Sequence, residues 1–358
     1  KTKNCPLKYM SKYYTRACNF YYGSISKEKV KKKLSIPLHG NNLISFDNIE
    51  LITRKSKKTL NINKINKLKK NISKKILFDI NLISKKKKFK GLKFSNLPIL
   101  MGVLNLTPNS FSDGGRYLKK NLGVKHALKL IKDGCGILDI GGEATNPGSI
   151  TVRGNEEWKR VFPILKKIKK LKKFISLDTR KSTIMKKGIK NKISLVNDVS
   201  GLEYDNHTIQ VLKETNIPFV IHHMQGNPTT MQNNPKYKNV LLDIYDFFEK
   251  KIKYLRTVGI KHNNIILDPG IGFGKNLKHN ITLLKNISIF HSLGFPVMLG
   301  TSRKRFIKNL SGNNDSKERL GGTISSSLFA IMQGVQILRV HDVNEVNQSI
   351  KVFNSLKF

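Results

Sequence analysis

The chain has 358 residues, 39% of them hydrophobic, enough to bury a substantial core and to exclude wholesale disorder. Lys and Arg outnumber Asp and Glu 67 to 23, a net charge of +44 that raises nucleic acid or an acidic membrane surface as partners. Three widely spaced cysteines, Cys5, Cys18 and Cys135, with no CxxC and no zinc-like Cys/His spacing, exclude a disulfide framework and a zinc site, and no apolar run is long enough to span a bilayer.

Lys1 to Tyr14 lack the apolar stretch of a secretory signal, so the expected compartment is the reducing cytoplasm, with no membrane partner. Residues 1–95 form a first region: 24 Lys and 2 Arg against 4 acidic residues, half of the net charge in about a quarter of the chain. Its text, such as 64–75, is rich in Lys, Asn and Ile, which a biased codon supply explains without a binding partner. Apolar alternations near 42–52 and 76–83 read as strands, and the rest of this small extension is left without assigned structure.

From Leu97 the character changes to short apolar runs alternating with segments of helical period, the pattern of repeated βα units. The runs are 99–104, 137–140, 174–177, 193–196, 219–221, 265–267, 297–299 and 336–340. Candidate helices follow each, at 124–132, 156–170, 183–188, 206–215, 240–257, 280–291, 319–333 and 343–356. Eight such pairs over 96–358 predict an α/β fold, a (β/α)8 TIM barrel preceded by the N-terminal extension; an open doubly wound sheet fits eight units less well.

A barrel places its chemistry where strands end, and each predicted strand ends on polar residues. These are Asn105, Asp139 with Glu143 after it, Asp178, Asn197-Asp198, His222-His223, Asp268, Ser302-Arg303-Lys304 and Arg339-Val340-His341. Side chains alternate along a strand, so Arg339 and His341 share a face. The adjacent His222 and His223 point to opposite sides and cannot both face one metal, which makes at least one of them a packed structural histidine. The glycine-rich 270–275 stretch has Asn276 where a phosphate loop needs Ser or Thr, so a P-loop is rejected. Asp139 and Asp198 read as supporting groups, and Gly321-Gly322 as a close-packing point on the barrel, with Arg319 available to reach a neighbour.

The stretch Met101-Gly102-Val103-Leu104-Asn105-Leu106-Thr107-Pro108-Asn109-Ser110-Phe111-Ser112-Asp113-Gly114-Gly115 closely resembles the first signature of the dihydropteroate synthases, within the pterin-binding barrel family. Seven further motifs arrive in that family's order: Asp139 to Gly148, Asp178 to Lys181, Asn197 to Gly201, His223 to Gly226, Leu267 to Lys275, Gly300 to Lys304 and Arg339 to Val343. The resemblance implies condensation of 4-aminobenzoate with 6-hydroxymethyl-7,8-dihydropterin diphosphate, giving dihydropteroate and diphosphate. It implies Asp178, Asn197, Asp268, Lys304 and Arg339 around the pterin, and Phe111, Thr145, Pro147 and Ser302 around 4-aminobenzoate. Asn105, Thr145, Arg339 and His341 would meet the diphosphate, with Mg2+ as cofactor on Asn105; Lys304, Arg339 and His341 would be the catalytic groups.

By the same resemblance the leaving group departs before the aniline nitrogen attacks, no general base is required, and the protein is a homodimer. The chain departs from the family at Asn146, where many members have Arg, and at His222, where many have Met. Two readings compete: a related barrel that transfers a methyl group from a pterin, and a nucleic-acid-binding role for the basic N-terminal region. The Arg339/His341 pair and the complete first loop weigh against the first, and the absence of a nucleic-acid motif weighs against the second.

Overall fold

A computed structural model describes residues 12–94, 98–107, 120–146, 148–171, 173–312 and 314–357. The chain divides into two compact units, residues 1–86 with Ser288–Gly294, and Lys87–Ile287 with Phe295–Phe358.

In the first unit, β1 (Tyr14–Tyr22), β2 (Ile36–Leu38), β3 (Asn41–Ile52) and β4 (Lys57–Asn61) form an antiparallel sheet in which β3 pairs with the other three. A helix at Lys70–Ser84 covers it, burying Ile76, Ile80 and Ile83 with Ala17, Phe46 and Ile49 of the sheet. The strand expected near 76–83 is therefore a helix. Positions 73, 76, 80 and 83 are its buried stripe at helical spacing, while Leu77 and Phe78 are 47% and 59% exposed and blur the period in the sequence. The strand expected near 42–52 is β3, and β1, β2 and β4 were not anticipated. Asp79, buried in the helix, accepts hydrogen bonds from Thr15 Oγ1 at 2.6 Å and Lys75 Nζ at 2.5 Å.

The second unit is the barrel. Its strands are β5 (Ile99–Asn105), β6 (Ile137–Gly141), β7 (Phe174–Asp178), β8 (Leu195–Asp198), β9 (Phe219–His222), β10 (Ile265–Asp268), β11 (Met298–Leu299) and β12 (Ile337–Val340). All neighbours are parallel, in the order β10, β9, β8, β7, β6, β5, β12, β11, and a bridge from Leu267 to Val297 joins the two ends of the row. Observed strand bounds lie within a residue or two of those expected. The helix at Val240–Thr257 has the expected ends, set at its start by Asn239, whose side chain accepts from the Leu242 N–H. The single helix expected over 280–291 is two pieces, Leu277–Lys285, begun by an Asn276/His279 capping box, and a 3-10 stretch at Ile287–Leu293. A short helix at Arg305–Ser311 was not foreseen.

The lower barrel interior is closed by Met101, Ile137, Leu195, Val220, Ile266, Met298 and Ile337 with Phe89 of the preceding segment beneath them. Strand side chains alternate, so two residues further along the same strands come Val103, Asp139, Asn197, His222, Asp268, Gly300 and Arg339. One step up the barrel, the interior turns from hydrocarbon to hydrogen-bonding groups.

Candidate active site

That polar layer is the floor of a cavity of about 580 Å3 at the C-terminal ends of the strands. Asn105, Thr145, Asp178, Asn197, Asp268, Ser302, Lys304, Arg339 and His341 all line it. These are nine of the eleven site residues expected from the sequence. The other two, Phe111 and Pro147, lie outside the described residues.

Arg339 is the hub. Its Nε donates to Asp139 Oδ2 and its Nη2 to Asp178 Oδ2, both at 2.7 Å, and Asn197 Nδ2 donates to the same Asp139 oxygen at 3.2 Å. Asp139, fully buried, thus holds the arginine and the amide in place, the supporting role its position suggested. Burial pushes the Asp178 carboxyl up, with Arg339 pulling it down and Asp139 adding to the rise. Among the described residues Asp178 Oδ1 and Asn197 Oδ1 have no hydrogen-bond partner, so two buried acceptors stand ready for ligand donors. Asp268 accepts from the Gly270 N–H at 2.8 Å; burial raises its carboxyl to about 6, against the pull of that N–H and of Lys304 and Arg339. Lys304 Nζ lies 4.0 Å from the centre of the Phe273 ring, and burial with the nearby Arg339 brings its amine down to about 7.

On the opposite wall, Ser302 Oγ lies 3.2 Å from the His341 backbone N–H and 3.0 Å from its Nδ1. The hydroxyl accepts the first and shares a hydrogen bond with the second. Burial and the cations Arg303, Arg339 and Lys304 keep the imidazole neutral, so the ring carries one N–H donor. Arg303, at φ 59°, holds a backbone conformation that costs a non-glycine residue about 1 to 2 kcal/mol. It is held there by Asp342, whose Oδ2 accepts from its Nε at 2.9 Å, and by Thr323 Oγ1, which accepts from its N–H at 3.0 Å. Arg319 turns inward, donating to the Arg303 carbonyl at 2.9 Å and to that of Asn314, so its expected reach to a neighbour is taken up locally. A Cβ on Gly322 would stand 2.3 Å from Ile307, the close packing expected there, whereas one on Gly321 would meet nothing.

The segment bearing Thr145 is anchored by an ion cluster that sequence spacing did not reveal. Glu143 takes both Arg180 (Nη2 at 2.9 Å) and Lys181 (2.9 Å), Lys181 also reaches Glu157 at 2.7 Å, and the Val152 N–H donates to Glu143 at 2.9 Å. These cations hold the Glu143 carboxyl below its usual range despite burial. His222 faces the cavity, its Nδ1 donating to the Val199 carbonyl at 3.0 Å and its ring edge-on to Phe273. His223 packs against Phe247 on the other side, so the two do diverge. No helix among the described residues is long and apolar enough to cross a membrane, and no cluster of three or more His, Cys, Asp or Glu there could hold a metal.

Residues 101–341 match the family of pterin binding enzymes. The chain is 40% identical to the dihydropteroate synthase of Escherichia coli K12 over 256 residues, 71% of this chain and 90% of that one. It is likewise 40% identical to the dihydropteroate synthase of Neisseria meningitidis serogroup B, over 72% and 93%. Among solved structures, the Yersinia pestis dihydropteroate synthase in complex with a sulfonamide drug superposes with a TM-score of 0.72 at 35% identity, covering 75% of this chain and 98% of that one. The Xanthomonas albilineans dihydropteroate synthase with 4-aminobenzoic acid does so at 0.69 and 33%, over 74% and 94%. Residues 1–86 of the first unit precede the matched family residues, and its Ser288–Gly294 piece lies within them.

Proposed function

Since the chain belongs to the pterin-binding enzymes and, among them, to the dihydropteroate synthases, we propose a division of labour in its cavity for that reaction. The enzyme joins 4-aminobenzoate to 6-hydroxymethyl-7,8-dihydropterin diphosphate: an N–C bond forms at the hydroxymethyl carbon, the C–O bond to diphosphate breaks, and the aniline proton passes to solvent.

In our reading the pterin lies on the polar floor. Its amidine-like edge presents N–H donors to the Asp268 carboxylate, while Asp178 Oδ1 and Asn197 Oδ1 take the remaining donors. The observation that carries this is the pair of buried, unpartnered oxygens beside Asp268; each such group without a donor costs on the order of 1 to 3 kcal/mol, a penalty that a bound pterin removes. Lys304 donates to the ring's acceptor atoms. Arg339, fixed by Asp139 and Asp178, offers a planar cation to the ring and the departing diphosphate. In the tautomer whose Nδ1 accepts from Ser302, the neutral His341 would add its Nε2–H, so negative charge building on the leaving group would meet one cation and one neutral donor already in place.

Cleavage ahead of attack needs no general base, and none of these residues is assigned that role. Thr145 and Ser302, with Phe111 and Pro147, are proposed to line the 4-aminobenzoate side. Asn105 lines the cavity and offers one neutral amide oxygen, which suits a Mg2+ ion that takes its other ligands from diphosphate and water. Bound there, the ion would neutralise diphosphate charge. We further propose a cytoplasmic homodimer, supported by the free thiols of Cys18 and Cys135 and by the exposed apolar Phe329, Val352 and Leu356 on the last two helices.

The test is turnover by the purified chain of the pterin diphosphate with 4-aminobenzoate, with and without Mg2+. Equimolar dihydropteroate and diphosphate are expected; a folded chain that releases no diphosphate would overturn the assignment.

A further inference from the structure

Lys275 has no part in the roles assigned above, yet it is 2% exposed, and lysine is almost never buried without partners. Its amine has three acceptors: His223 Nδ1 at 3.0 Å, the His223 carbonyl at 3.2 Å and the Phe273 carbonyl at 2.8 Å. These lie on two different loops, one following β9 and one following β10. The loops meet there backbone to backbone. A Cβ on Gly270 would stand 2.0 Å from the His223 carbonyl, and one on Gly274 2.7 Å from that of Gln225. Phe273, whose carbonyl the amine holds, presents its ring to two groups of the pterin floor: Lys304 Nζ at 4.0 Å and the edge of His222 at 4.5 Å. One buried amine thus ties together the loops that follow β9 and β10, and the Phe273 ring in turn meets Lys304 on the loop after β11.

We propose that Lys275 is a positioning residue for the pterin: by fixing Phe273 against His223 it fixes the ring on which Lys304 stands across the cavity from Asp268. The inference rests on the pterin floor assigned above. It separates two substrates, because the residues tied by Lys275 belong to the pterin side and Thr145 and Ser302 do not.

The experiment compares the full-length wild type, Lys275→Met and Phe273→Leu, measuring pterin diphosphate affinity by calorimetry together with the KM for 4-aminobenzoate. Lys275→Met is expected to weaken pterin binding about tenfold or more and to leave the 4-aminobenzoate KM within about twofold, because the hydrogen bonds that hold Phe273 against His223 are gone. Phe273→Leu is expected to weaken pterin binding in the same direction, again with the 4-aminobenzoate KM within about twofold. Unchanged pterin affinity in Lys275→Met, or equal losses for both substrates in step with a fall in Tm, would overturn the proposal. Should Lys275→Met not fold, wild-type pterin affinity in Phe273→Leu overturns it. Asp268→Asn run alongside separates the premise: if it binds pterin as the wild type does, the floor assignment fails and the inference falls with it.

Discussion

Replacing Asp268 with Asn separates stability from function, because the two pull on this carboxylate in opposite directions. Burial raises the group from 3.8 to about 6 in the folded chain. At about 1.4 kcal/mol per unit, holding the charge in the free enzyme at neutral pH costs roughly 3 kcal/mol. The folded value lies above the unfolded one, so the folded state binds this proton more readily. The stability that protonation supplies is complete below about pH 4 and is lost as pH rises through about 6. Asn keeps an oxygen for the Gly270 N–H without the charge. Asp268→Asn is therefore expected to be more stable than wild type at pH 7.5 by as much as roughly 3 kcal/mol, at about 2 to 4 °C of Tm per kcal/mol, with the gap closing on acidification. Pterin binding moves the other way. An amide NH2 would face the ligand's own N–H groups, and losing two hydrogen bonds to a charged group, about 1.5 to 3 kcal/mol each, weakens binding at least about 100-fold. Thermal unfolding and calorimetric titration from pH 4.5 to 8 read both effects. A stability gap that does not vary with pH, or a mutant that binds pterin normally, would refute the reasoning.

Arg339→Ala leaves Asp139 and Asp178 as buried carboxylates without their cation, and is expected to cost about 3 to 5 kcal/mol of stability, with loss of turnover, by denaturant unfolding and product assay. Glu143→Gln weakens the hold of Arg180 and Lys181 on the Thr145 segment; the expected result is a 4-aminobenzoate KM raised about tenfold with pterin affinity within about twofold, and equal changes in both would argue against a local anchor. Gly270→Ala puts a methyl group 2.0 Å from the His223 carbonyl in a residue at φ 69°, so the variant is expected to lose about 3 kcal/mol or more, read as a lowered Tm. Mg2+ is expected to bind the free enzyme weakly and more tightly once pterin diphosphate is present; Asn105→Ala should reduce that gain, and an equal gain in both proteins would remove Asn105 from the metal site.

The barrel was legible because its information is local. A strand buried on both faces reads as a short apolar run, and the two-residue alternation carries an apolar position such as Ile337 up to Arg339 and then to His341 without tertiary knowledge. The same rule places Asn197 above Leu195 and Asp268 above Ile266, so the cavity floor could be read from eight strand ends. Local patterns failed where the deciding partner is distant. Arg339 pairs with Asp139 across 200 positions, and Glu157 meets Lys181 across 24, separations that carry no sequence period. The helix Lys70–Ser84 was misread because Leu77 and Phe78 occupy its exposed side, and Arg305–Ser311 is too short to show a period.

Residue type alone did not show what holds each group within the site. Ser302, expected beside 4-aminobenzoate, lines the cavity and is also within hydrogen-bond reach of His341, and Lys275, in the glycine-rich stretch whose spacing fails as a phosphate loop, is the buried amine linking two loops. Both follow from one physical fact: in a water-poor cavity a polar atom must find a partner, so what a side chain does there is set by the acceptors and donors around it, and those come from other strands. The oxygens left over, on Asp178 and Asn197, are the ones for a ligand to satisfy.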